Sequence, residues 1–156
     1  VYGLPTLATR MVNQQKSATR VAQFLERHPK VASVHYPGLE TFPQYQLARR
    51  QMTNYDGKFA PGSMVYFVLK GEAKAATEAA DRFMDYIANH AYSVTLAVSL
   101  GQIRTLIEEP YSMTHSALPA ELKHARGLEP GGIRLSVGLE DWHDIINDLE
   151  IALEQI

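Results

Sequence analysis

A chain of 156 residues with a formal net charge of -2 at pH 7 has room for one domain and shows no basic surplus for nucleic acid or an anionic membrane. Hydrophobic residues make up 46% and charged residues 21%, the mix of an ordinary globular protein. Cysteine is absent, which excludes a disulfide framework and thiolate chemistry from this chain and fits the cytoplasm.

No apolar run approaches the roughly 20 residues of a membrane helix. The first residues carry no secretory-signal pattern. The chain opens at Val1, just ahead of an expected helix, so it is expected to be part of a longer protein.

Pro5 suits the first turn of a helix, where its missing N–H costs nothing. Leu7, Met11, Ala18, Val21, Ala22 and Leu25 recur at helical spacing up to Pro29, predicting one long amphipathic helix over 5–28. Ala32, Val34 and Tyr36 alternate with Ser33 and His35 in a short strand stopped by Pro37-Gly38. A short helix over 44–52 and a turn-rich stretch over 53–62 follow. In 63–69 both alternating faces are apolar, as in a strand covered on both sides.

Ala76, Ala80, Phe83 and Ile87 mark a helix over 73–89. Residues 92–98 read as a strand with Val94, Leu96 and Val98 on one face, and 105–108 as a further short extended piece. A short helix over 119–126 closes at Gly127. Ile133, Leu135 and Val137 form the apolar face of a last strand. Asp141 caps a final helix with the stripe Trp142, Ile145, Ile146, Leu149, Ala152, Leu153 and Ile156. The expected class is α+β: a small mixed, largely antiparallel sheet with helices on one face, preceded by a long N-terminal helix.

Arg134 stands out, because alternation turns it away from Ile133 and Leu135 and requires a negative partner or water on the opposite side. A structural salt bridge or solvated side chain is one reading, and a clamp for a carboxylate or phosphate is the other. Ser99-Leu100-Gly101 ends a strand in a small polar turn, either a plain turn or one that aims N–H groups and a hydroxyl at an anion. Thr114-His115 reads as a loop anchor ahead of a catalytic pair.

Phosphate-loop, dinucleotide, zinc-protease and serine-elbow patterns do not occur, and the six histidines show no ligand spacing, so no metal is expected. Glu108 and Glu109, adjacent on an extended piece, would face opposite sides, with at least one of them solvated. Neither Lys58 nor Lys123 sits in a pattern that marks a Schiff-base lysine.

Several segments, taken together, resemble one family. They are Gly3-Leu4-Pro5-Thr6-Leu7-Ala8-Thr9-Arg10-Met11, His28-Pro29-Lys30-Val31 with Tyr36-Pro37-Gly38-Leu39, Ser99-Leu100-Gly101, Leu106-Ile107-Glu108 with Pro110, Ser112-Met113-Thr114-His115-Ser116, and Arg134 through Asp141. The chain resembles, over essentially its whole length, the C-terminal domain of the pyridoxal-phosphate enzymes of cysteine and methionine metabolism. Cystathionine γ-synthase, cystathionine γ-lyase and methionine γ-lyase are members.

The resemblance implies the C-terminal domain of a fold-type I enzyme, with residues 1–28 joining a larger domain to a small domain over 29–156. It implies that Arg134 binds the substrate α-carboxylate, that Ser99 and Leu100 line the same pocket, and that Thr114, Val98 and Gly101 support it. It implies pyridoxal phosphate bound mainly by the larger domain, a sulfur-containing or O-activated amino acid as substrate, and a homotetramer. Catalytic and cofactor-binding residues are expected outside this chain. The family's S-x-T-K lysine has no counterpart here, so the chain alone is expected to be inactive.

Three positions depart from or refine the pattern. Tyr2 replaces a frequent arginine and Glu109 a frequent histidine. Val98 stands where cystathionine-acting members often carry an acid and methionine γ-lyase-like members a valine, which favours a smaller or apolar substrate end. A non-catalytic α+β module for small carboxylates or protein partners is the alternative reading.

Overall fold

The computed structural model describes residues 3–113, 115 and 117–156. Ten elements follow in order: α1 (Leu7–Arg27), β1 (Val31–His35), α2 (Tyr45–Gln51), β2 (Met64–Leu69), α3 (Ala73–His90), β3 (Val94–Leu96), β4 (Thr105–Glu108), α4 (Ala120–Ala125), β5 (Gly132–Ser136) and α5 (Trp142–Glu154). The strands form one sheet in the order β1-β2-β5-β4-β3. All neighbours are antiparallel except the parallel β3–β4 pair, so the sheet is mixed and largely antiparallel, as expected.

One face of the sheet is apolar. Val65, Phe67 and Leu69 of β2, Ile133 and Leu135 of β5, and Ile107 of β4 are buried there. They pack in one core with Ala18, Val21, Ala22 and Leu25 of α1, Ala80, Phe83 and Ile87 of α3, and Ile145, Leu149 and Leu153 of α5. The helical stripes read from the sequence are the surfaces that meet the sheet, which is why three helices share one face. Removing that area from water drives the fold at roughly 25 cal/mol per Å² of apolar surface.

The opposite face carries His35, Tyr66, Arg134 and Glu108 in one lateral row, each opposite the next on the neighbouring strand. This row positions the site.

Several boundaries differ from the sequence reading. The first helix starts at Leu7, so Pro5 lies in the preceding turn, and Leu7 itself is exposed. On β2, Met64, Tyr66 and Val68 are only half-buried, so one face is core and the other lines a cavity. The third strand stops at Leu96, and Val98 is 57% exposed in the turn beyond it. The extended piece at 105–108 is a full strand, buried at every position and central to the sheet.

Candidate functional site

A parallel pair such as β3 and β4 needs a connection that returns along the strands. Residues 97–104 make that return, and two side chains of β5 pin it. Arg134 Nη2 donates to the carbonyl oxygens of Val98 and Ser99, both at 3.1 Å. Ser136, two residues on and on the same face, accepts the Gly101 N–H on its Oγ at 2.9 Å. Gly101 has φ +73, a conformation glycine adopts without the Cβ penalty. Gln14 of α1 ties the far side of the turn by donating to the Gln102 carbonyl at 2.7 Å.

The third hold on Arg134 is Glu108. Its Oε1 lies 2.7 Å from Arg134 Nη1. Glu108 is 1% exposed while the arginine side chain keeps 24% of its surface. Burial pushes the Glu108 carboxyl above its ordinary range, with the Arg134 and His115 charges opposing and Glu109 adding to the rise. Among the described residues neither Glu108 oxygen has a hydrogen-bond partner, so its hold on Arg134 is that of an ion pair.

The expectation that one of Glu108 and Glu109 is solvated is therefore corrected. Both are buried, at 1% and 2% exposure. Glu109 is accommodated by the turn that follows, where its Oε2 accepts the Ser112 N–H at 2.7 Å. Local alternation indicated the opposite directions but not that protein lies on both sides.

The open face holds a cavity of about 360 Å³ lined by His35, Met64, Tyr66, Glu108, Pro110, His115, Leu128 and Arg134, among others. Its walls are mostly carbon, with the Arg134–Glu108 pair as the charged patch. Tyr66 lies against Gly132, where a Cβ would collide with its ring and hydroxyl, and its oxygen accepts the Glu129 N–H at 3.0 Å.

The structure thus brings Arg134, Val98, Ser99 and Gly101 together. Ser99 and Leu100 are exposed on the turn and are not among the residues that line the cavity beside Arg134. Thr114 lies outside the described residues. The sequence reading missed Ser136 as the turn's second anchor and Glu108 as the partner of Arg134. Alternation along β5 puts Ser136 on the same face as Arg134, whereas Glu108 becomes legible as a partner only once β4 and β5 are paired. No group of three or more candidate metal ligands occurs among the described residues, and no helix there is long and apolar enough to cross a membrane.

With this geometry in view, comparison with known proteins is decisive. Residues 1–154 match the family described as Cys/Met metabolism PLP-dependent enzyme. The chain belongs to this family. It is 43% identical over 156 residues to an L-methionine gamma-lyase of Fusobacterium nucleatum subsp. nucleatum, a match covering 100% of this chain and 36% of that protein. It is 42% identical over 153 residues to a cystathionine gamma-lyase of Dictyostelium discoideum, covering 98% of this chain and 36% of the other. A crystal structure of cystathionine gamma synthase from Xanthomonas oryzae pv. oryzae in complex with cystathionine superposes with a TM-score of 0.81 at 37% identity, covering 99% of this chain and 36% of that one. The chain therefore spans about a third of the length of these relatives.

Pyridoxal phosphate is the cofactor of this family's full-length enzymes. The cavity beside Arg134 has no lysine in its lining to link the cofactor's aldehyde. Lys123 is committed elsewhere: its Nζ donates to the Tyr111 carbonyl at 2.8 Å and stands over that ring. Lys30 donates to the Leu153 carbonyl at the end of α5. These residues do not fit the role of cofactor holder, whereas a fixed guanidinium at a turn fits an acid group.

Proposed function

We propose that this chain is the substrate-carboxylate wall of a pyridoxal-phosphate-dependent lyase or transferase of sulfur amino acid metabolism, like methionine γ-lyase or the cystathionine γ-lyase and γ-synthase enzymes. Arg134 binds the α-carboxylate of an amino acid. Ser99 and Leu100, exposed on the turn that Arg134 grips, border the carboxylate subsite from outside the cavity, and Val98 and Gly101 shape it. The observation that carries this reading is the double hold of Arg134 Nη2 on the Val98 and Ser99 carbonyls, which fixes the cation at the turn instead of leaving it in solvent. The relatives' names, and a solved relative complexed with cystathionine, support an amino-acid ligand.

In the full-length enzyme the cofactor, held outside this chain, would supply the electron sink. This chain's part is orientation. A forked, permanently charged donor fixes the acid end of the ligand, and two carbonyls tether one of its nitrogens to the turn. On this reading the chain alone is inactive, since the lysine the chemistry needs is absent from it.

The test is Arg134→Lys in the full-length enzyme, which keeps the charge beside Glu108 but removes the fork. KM for an amino-acid substrate rises by about 2–4 kcal/mol of lost binding, with a smaller fall in kcat. Kinetics equal to those of the parent enzyme would refute the clamp.

A further inference from the structure

Arg134 is held at two nitrogens. Nη2 meets the Val98 and Ser99 carbonyls, and Nη1 meets Glu108. Anchors at Nη2 alone leave the guanidinium plane free to swing about that nitrogen. The Glu108 ion pair at Nη1, 2.7 Å long, adds a fixed charge at the second nitrogen that opposes this swing and so favours one direction for the N–H groups that remain for a ligand.

Glu108 is well built for that task. It lies directly opposite Arg134 in the antiparallel β4–β5 register, on the same face. Its strand is buried along its whole length, and the carboxylate is 1% exposed, so the residue cannot follow the arginine outward. A carboxylate taken so far out of water is costly to keep, and a purely structural role would be served as well by an apolar pair.

We propose that Glu108 is a positioning residue: it sets the plane of the Arg134 guanidinium so that the arginine meets a ligand carboxylate with its N–H groups aligned. This rests on the reading of Arg134 as the carboxylate clamp and names the residue that makes the clamp directional.

The test uses the full-length holoenzyme and two simple probes, L-alanine and L-alaninamide, whose dissociation constants are measured by calorimetry. They share the amine and side chain and differ only in the acid group. In the parent enzyme alanine binds more tightly than the amide. Glu108→Ala weakens alanine binding at least 10-fold and leaves the amide within about 2-fold. Glu108→Gln, which keeps a side-chain oxygen of the same reach facing Nη1, restores alanine binding to within about 3-fold of the parent.

Equal weakening of both probes by Glu108→Ala would show general structural damage and overturn the proposal, as would unchanged alanine binding. Arg134→Lys separates this from the underlying reading. If it leaves the alanine-to-amide preference intact, the clamp itself is wrong. If it abolishes the preference while Glu108→Ala does not, only the positioning role falls.

Discussion

The Oγ of Ser136 accepts the amide hydrogen of Gly101 across the end of the sheet at 2.9 Å, on the same face from which Arg134 holds Val98 and Ser99. One strand thus supports the turn at both ends, through a cation and a hydroxyl two residues apart. Ser136→Ala leaves the Gly101 N–H without this acceptor and costs about 1 kcal/mol. Gly101→Ala, at φ +73, costs about 1–2 kcal/mol in backbone strain. Urea titration of both variants reads these losses, and the turn's role is wrong if neither moves the midpoint.

Arg134 and Glu108 also carry a stability prediction that needs no ligand. Arg134→Met strands a carboxylate that is 1% exposed and destabilises the fold by about 3 kcal/mol at pH 7. Adding Glu108→Leu removes the stranded charge and recovers most of the loss. The sign with pH follows from the raised Glu108 pKa, which favours the neutral form in the folded state. Such a group adds stability at low pH and loses it as pH rises through the folded value. Without the opposing arginine the rise is larger, so the deficit of Arg134→Met is smaller at pH 5 than at pH 8. Denaturation at the two pH values measures it, and an equal deficit at both would contradict the pairing.

The Gly132–Tyr66 contact makes a local prediction. A Cβ at position 132 collides with the Tyr66 ring, which lines the cavity beside Arg134. Gly132→Ala destabilises the protein by about 1–3 kcal/mol through overpacking. The double variant Gly132→Ala/Tyr66→Leu recovers part of that loss, which thermal melting of the two detects. No recovery would mean that the strain lies elsewhere.

The long helices were legible in the sequence because periodicity over several turns averages out single exceptions, and α1, α3 and α5 sit within two residues of their predicted ends. The fourth strand was only faintly legible. Thr105, Leu106, Ile107 and Glu108 show no alternation because protein covers both faces, and burial on both sides erases the period-two signal. For the site, alternation aimed Arg134 correctly and demanded a counter-charge without naming it. Pairing Glu108 with Arg134 depends on register between strands separated by a long excursion, which local pattern does not encode.

Asp148 shows the same limit. In the stripe of α5 it reads as a polar interruption, yet it is 7% exposed. Its carboxylate accepts the backbone N–H groups of Tyr92, Ser93 and Val94 at 3.2, 2.6 and 3.0 Å, which docks the start of β3 onto α5. Asp148→Ala orphans those donors and costs about 3 kcal/mol. Asp148→Asn keeps one acceptor oxygen and costs less. The order alanine worse than asparagine worse than parent is checked by urea midpoints, and a neutral Asp148→Ala would show that solvent replaces the carboxylate freely.

Tyr36 gives the alkaline limit of stability. Its side chain is fully buried, and its hydroxyl donates to the Gly62 carbonyl at 2.9 Å and contacts Thr19 Oγ1 at 3.2 Å. Burial pushes its pKa up to about 12, against a smaller lowering from the Thr19 hydrogen bond. The neutral phenol is therefore favoured in the folded state, and the stability it confers is complete below pH 10 and lost as pH rises towards 12. The loss reaches about 3 kcal/mol once pH exceeds the folded value, at 1.36 kcal/mol per pH unit. Tyr36→Phe gives up the hydroxyl's hydrogen bonds, about 1 kcal/mol at pH 7, and flattens this part of the alkaline slope. Stability measured at intervals from pH 9 to 12 should show the parent starting above Tyr36→Phe and crossing below it. Parallel curves would mean that Tyr36 ionises in the folded protein as readily as in the unfolded chain.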